Sequence, residues 1–172
     1  MFRAVQGLLR RGSRPEPDGG AEDALDTRGA AQFRILTMPM TILIVDDDKN
    51  FIETLEDGLK LKNVEAVVKV AKSAREALDQ LAAVLPSVII LDIQLPDMHG
   101  VEFLRLIRES ARLKKVPVVF ISAKYTEPAD RSEAMLAGAG AFFSKPIDID
   151  ELWKELSYLL GRSGGAGLDN KK

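Results

Sequence analysis

Five short apolar runs, each separated from the next by a stretch with helical spacing, set the tightest limit on what this chain can fold into. They occupy residues 42–45, 64–70, 88–91, 116–121 and 141–143. Between them, Phe51, Leu55 and Leu59 share one face of a helix expected over 50–61. Ala77, Leu78, Leu81 and Leu85 share a face of a second helix, which starts at Ser73 and stops at Pro86. Val101, Leu104 and Ile107 point inward from a third helix after Gly100. A weaker helix over 128–137 ends at Gly138, and a last one opens at Asp148 and runs through Leu160. Ser73 with Glu76, and Asp148 with Glu151, have the spacing of capping boxes. Apolar strands alternating with amphipathic helices predict a parallel sheet covered on both faces. Right-handed crossovers make such a sheet doubly wound. The more polar run over 64–70 is expected at an edge. Ligands of these sheets bind beyond the carboxyl ends of the strands, where the strand order reverses.

That rule directs attention to the residues just past each strand. The run ILIV ends in Asp46, Asp47 and Asp48, VIIL ends in Asp92, VVFI ends in Ser122, and Lys145 follows shortly after the fifth run. Two like charges about 4 Å apart at an effective dielectric near 20 repel by roughly 4 kcal/mol. The acids must therefore splay apart or receive a cation. Clustered carboxylates are hard oxygen donors, and Mg²⁺ is the expected occupant. Lys145 supplies a fixed positive charge and Ser122 a hydroxyl donor. Taken singly, each residue has a plainer reading: an acidic turn capping the first helix, a strand-end acid, a turn hydroxyl, a solvated lysine.

Composition closes off other chemistries. The chain has 172 residues and no cysteine, which excludes disulfides, thiolate catalysis and cysteine metal sites. A single histidine excludes a histidine-rich metal centre, and a net charge of −2 gives no broad basic field for nucleic acid. No apolar run approaches the roughly 20 residues of a membrane span, so a cytoplasmic protein is expected.

Taken in order, VDDD, LDIQLPDMHG, VVFISAK and FFSKP resemble the receiver domain of two-component response regulators, over about residues 40–161. The resemblance implies a flavodoxin-like α/β fold, a five-stranded parallel sheet in the order 2-1-3-4-5 with five helices. First and third strands are then neighbours and their acids converge. It implies that Asp92 is the phosphoacceptor. Mg²⁺ would be held by Asp47 directly, by Asp46 partly through water, by Asp92 and by the main-chain carbonyl of Gln94. Asp48 falls at a variable position and is not counted among the ligands. Ser122 would hydrogen-bond a phosphoryl oxygen. Lys145 would pair first with Asp92 and then with the phosphate, its bond to Pro146 being cis. Ser122 and Phe142 would form the switch, with Ser122 drawn to the phosphate and Phe142 turning into the space it leaves. The face made by the fourth helix, fifth strand and fifth helix would respond, with Met135 and Lys154 on it. Gln94 and Lys124 flank the site where the family tunes attack by water. Two residues depart from the family pattern: Phe142 carries no phenol, and His99 stands before Gly100 where an aspartate is common.

The function expected is that of a stand-alone response regulator, a phosphoacceptor switch and not an enzyme. Its partners would be a histidine kinase or a histidine phosphotransfer protein, and a downstream protein bound by the switching face. It would have no DNA-binding domain and act as a monomer or a phosphorylation-dependent dimer. Two other readings compete. A phosphohydrolase of the haloacid dehalogenase type needs a second aspartate two residues after the nucleophile, where this chain has Gln94. A receiver-like binding module that no longer takes phosphate should lack Asp92, Asp47 or Lys145, and all three are present. Residues 1–39, rich in Gly, Pro, Ala and mixed charge, are expected to be a disordered extension, and 162–172 a flexible tail.

Overall fold

The computed structural model describes residues 40–124 and 127–164. Its elements are β1 (Thr41–Val45), α1 (Lys49–Lys62), β2 (Val67–Ala71), α2 (Ala74–Ala83), β3 (Val88–Asp92), α3 (Gly100–Arg108), β4 (Val118–Ser122), α4 (Pro128–Leu136), β5 (Ala141–Ser144) and α5 (Ile149–Gly164). The strands are parallel and lie in the order β2-β1-β3-β4-β5, the expected doubly wound arrangement.

Strand alternation divides the interior into two cores. Leu43, Val45, Ile89, Leu91, Val118 and Phe120 face α2, α3 and α4, where they meet Ala77, Leu81, Phe103, Leu104 and Ala134. Ile42, Ile44, Val88, Ile90, Val119 and Ile121 face α1 and α5, where they meet Ile52, Leu55, Leu59, Leu152 and Leu156. Successive strand side chains point to opposite faces, so three central strands buried on both sides must be apolar throughout. That is why β1, β3 and β4 read as unbroken apolar runs.

Several boundaries differ from expectation. The second strand begins at Val67 and not at residue 64, because Asn63 makes a turn first. Its side chain accepts from the Glu65 N–H at 3.0 Å and its carbonyl from Ala66 N–H at 3.1 Å. Val64 is left 87% exposed in that turn, so β-branching there reports no strand. Leu85 lies past the end of α2 and is half exposed. β4 starts at Val118, since Val116 N–H closes a turn onto the Leu113 carbonyl. α5 continues past Leu160 to Gly164. The expected extension over 1–39, and the tail beyond 164, lie outside the described residues.

Of the two expected capping pairs, Asp148 accepts from the N–H groups of Asp150 and Glu151 at 2.7 and 3.2 Å. Ser73 accepts from Glu76 N–H at 3.1 Å, and the Glu76 carboxylate reaches back one residue further than the standard box, to Lys72 N–H at 2.8 Å.

Candidate functional site

The register of the sheet assembles the site. Val45 lies beside Leu91, which sets Asp46 level with Asp92. Asp92 is opposite Ile121, one residue before Ser122, and Ser122 is opposite Ser144, one residue before Lys145. A cleft of about 340 Å³ at this edge is lined by Asp46, Asp47, Asp92, Gln94, Ser122 and Lys145, among others. Every metal or phosphate residue expected from sequence is therefore brought together. Phe142 is not: it points to the other side of β5, into the core under α4.

The three consecutive aspartates divide their tasks. Asp46 is 2% exposed, and its Oδ1 accepts the Asp48 N–H at 2.9 Å. Asp48 turns outward and caps α1, accepting from Asn50 and Phe51 N–H groups at 3.0 and 3.2 Å. Asp47 is exposed at the mouth of the cleft. The acids thus both splay and converge: Asp48 leaves, while oxygens of Asp46, Asp47 and Asp92 lie within 4.8 Å of one another. Three carboxylates at that separation, two of them buried, fit a hard divalent cation such as Mg²⁺.

Lys145 partly answers the repulsion. Its Nζ donates to Oδ2 of Asp46 at 2.6 Å and lies 3.7 Å from Oδ1 of Asp92. The expected first partner was Asp92; the structure gives the shorter contact to Asp46, the more deeply buried carboxylate. The Lys145–Pro146 bond is cis, as expected, and Lys145 N–H donates to the Ser122 carbonyl at 2.8 Å.

Asp92 remains the least compensated of the buried acids. Burial pushes its carboxyl up to about 6 from 3.8, against the pull of Lys145; Asp46 and Asp47 push the same way as burial, and the Gln94 N–H opposes them. That N–H donates to Oδ2 at 3.1 Å. Around pH 7 the carboxylate is ionised yet poorly neutralised by its neighbours. Ser122 is buried with its Oγ accepting from Lys124 N–H at 3.3 Å. Phe142 is 7% exposed, its ring tilted 41° to Phe120 at 6.4 Å, with the Arg131 guanidinium 5.2 Å above it.

Sequence reasoning passed over Asp97. From the β3–α3 loop its two carboxylate oxygens accept the first N–H groups of α2, from Ala74 and Arg75, both at 2.9 Å. This pins the loop that carries Gln94 to a helix fixed in the core. The bonds, Arg75 first, hold the Asp97 carboxyl below its usual range. Its contribution is present above the ordinary carboxylate pKa and lost as pH falls through the lowered value. Asp97→Ala is expected to cost about 1 kcal/mol at neutral pH. In urea melts the gap to the parent protein should close under strongly acidic conditions; a gap constant with pH would refute the assignment. No local signal marks this residue, because its partners lie more than twenty residues away in the chain.

Comparisons with known proteins agree with this geometry. Residues 42–157 match the family model of the response regulator receiver domain. Response regulator Rre1 of Synechocystis sp. is 37% identical over 137 residues, covering 78% of this chain and 58% of that protein. The chain thus spans a little over half the length of that relative. A CheY-like response regulator receiver domain protein from Methanospirillum hungatei JF-1 superposes with a TM-score of 0.68 at 25% identity, covering 76% of this chain and 100% of that one. The signal receiver domain of a signal transduction histidine kinase from Syntrophus aciditrophicus gives 0.65 at 26% identity, covering 77% and 97%. With well over half of its residues inside the matched region and the acidic rim in place, this chain belongs to the response regulator receiver domain family of two-component systems.

Proposed function

We propose that this protein is a response regulator whose Asp92 accepts a phosphoryl group from a histidine kinase or a histidine phosphotransfer protein. The observation that carries the reading is Asp92 itself: a strand-end carboxylate with a raised pKa, 3.7 Å from a lysine ammonium and open to a cleft. An Asp92 oxygen forms the bond to phosphorus. The phosphorus–nitrogen bond to the donor imidazole breaks, and the imidazole nitrogen keeps the electron pair and takes up a proton. Asp46, Asp47, Asp92 and the Gln94 carbonyl are the residues that would hold Mg²⁺. Bound there, the ion supplies charge neutralisation for the phosphoryl oxygens. Lys145 neutralises another oxygen of the group, and the Ser122 hydroxyl donates to a third.

The phosphoryl group carries about −1.5 to −2 charges in place of the carboxylate's −1, and it brings strong acceptors to the rim. Drawing Ser122 toward it opens space on β4 beside Phe142, which shifts the population of the α4–β5–α5 face between two arrangements. Met135 and Lys154 are exposed on that face and suit a downstream protein partner. Among the described residues no helix is long and apolar enough to cross a membrane, which is compatible with a cytoplasmic setting. We assign the receiver to residues 40–161, as a monomer or a phosphorylation-dependent dimer.

Acetyl phosphate with Mg²⁺ should place one acid-stable, base-labile phosphoryl group on the peptide containing Asp92, and chelation should stop the reaction. Label on another residue, or turnover of a generic phosphate ester through many cycles, would end this reading. Beryllofluoride should change amide exchange in α4 and α5; unchanged exchange would remove the switch while leaving the acceptor role standing.

A further inference from the structure

The Lys145 ammonium has a third neighbour besides the two carboxylates. Its Nζ lies 4.0 Å from the centroid of the Phe51 ring. Phe51 sits in the first turn of α1, where the Asp48 carboxylate takes its N–H at 3.2 Å and so fixes the backbone from which the ring projects. The ring is half-buried and packs against the core between the sheet and α1 and α5. The Lys145 side chain is only 14% exposed. An ammonium with little water around it therefore has carboxylates at 2.6 and 3.7 Å and an aromatic face as its remaining wall. The negative face of a benzene ring attracts a cation, more strongly as both are desolvated.

We propose that Phe51 is a positioning residue for Lys145, holding the ammonium at the cleft by a cation–π contact that does not depend on Asp46. The inference rests on the reading of Asp92 as phosphoacceptor and names a part of that site which the family motifs do not include. Oδ2 of Asp46 has two prospective claimants, the ammonium and a divalent cation, and a carboxylate drawn toward one attracts the other less. The ring has no competing task. It keeps Nζ near Asp92 while the charges of the cleft rearrange, and it spares a side chain with a flexible four-carbon stem the loss of its geometry. If the ring were only an apolar plug for the core, an aliphatic side chain of similar bulk would serve as well.

The test separates these roles at position 51. Phe51→Leu keeps an apolar filler, Phe51→Trp keeps a π face, and a series from monofluoro- to pentafluorophenylalanine drains the face of negative charge with little change of shape. The first readout is the proton shift of the Lys145 ε-methylene, which needs no phosphorylation. It should be displaced upfield by the ring in the parent protein and return toward the free value in Phe51→Leu. The second is the rate of labelling from acetyl phosphate at saturating Mg²⁺. It should fall roughly three- to thirtyfold in Phe51→Leu, recover in Phe51→Trp, and decline stepwise with fluorination. A Lys145 methylene without a ring shift overturns the proposal, as does a Phe51→Leu or pentafluoro protein that labels at the parent rate. If the parent protein takes no label at all, the phosphoacceptor reading fails, while the methylene shift still decides whether the ring holds the ammonium.

Discussion

Asp92→Asn is expected to lower labelling from acetyl phosphate by roughly a hundredfold or more, since an amide oxygen is a far weaker nucleophile than a carboxylate. The same substitution should stabilise the metal-free protein. The Asp92 carboxyl titrates at about 6 in the folded state against 3.8 ordinarily, so between those values the folded chain holds more proton than the unfolded one. Stability therefore falls as pH rises through that window and stays lower above it. Allowing for solvent that reaches the carboxyl, the cost above pH 6 is about 1–2 kcal/mol. An isosteric amide removes it. At pH 8, with chelator, Asp92→Asn should melt about 3–8 °C higher than the parent, and the two melting curves should approach each other near pH 4. Mg²⁺ should narrow the difference at pH 8 by stabilising the parent, because a ligand of the folded state alone raises its stability. A variant that melts lower than the parent at pH 8 would show that Asp92 is compensated and not held in tension.

Gly100→Ala should be the most damaging single methyl in the domain. A Cβ at this position would press into the carbonyl oxygen of Asp92 and stand 2.9 Å from Ile93 Cα, and neither is a flexible side-chain end that can yield. The same close approach allows Gly100 N–H to donate to the Ile93 carbonyl at 2.6 Å, which seats the start of α3 on the end of β3. Relief of the clash requires α3 or the end of β3 to move. We expect a loss of about 3 kcal/mol in denaturant melts, together with weaker Mg²⁺ binding, because the Gln94 backbone lies in the displaced loop. Unaltered stability would mean that the helix start is free to slide.

What the sequence made legible followed from chemistry that is local along the chain. Central strands buried on two faces can only be apolar, so β1, β3 and β4 stood out, and each delivered its polar residue to one edge. The order of the strands came from the family resemblance, not from the pattern itself. The turn at Asn63 was hidden because Val64 and its neighbours look like strand residues, and one Asx side chain decides where the strand starts. The preference of Lys145 for Asp46 was also illegible. It depends on which of two carboxylates is buried more deeply, a property of packing between residues 99 positions apart. Asp97 and Phe51 escaped notice for the same reason: an acid in a loop and a phenylalanine on a helix face each have a sufficient ordinary explanation until the distant partner is placed.

The sheet acts as a partition between two separately packed slabs, and this bears on how a partner could sense its rim. Helices α2, α3 and α4 rest on one slab, α1 and α5 on the other. A protein docking on either side alone would feel only half the molecule. At the margins, where β2 and β5 run, a docked surface spans both. The β5 margin reaches the cleft with a side chain, for Phe142 enters one slab from it and Lys145 leaves its end for the cleft, whereas β2 reaches it only through its backbone, the Ala71 carbonyl accepting the Asp46 N–H at 3.0 Å.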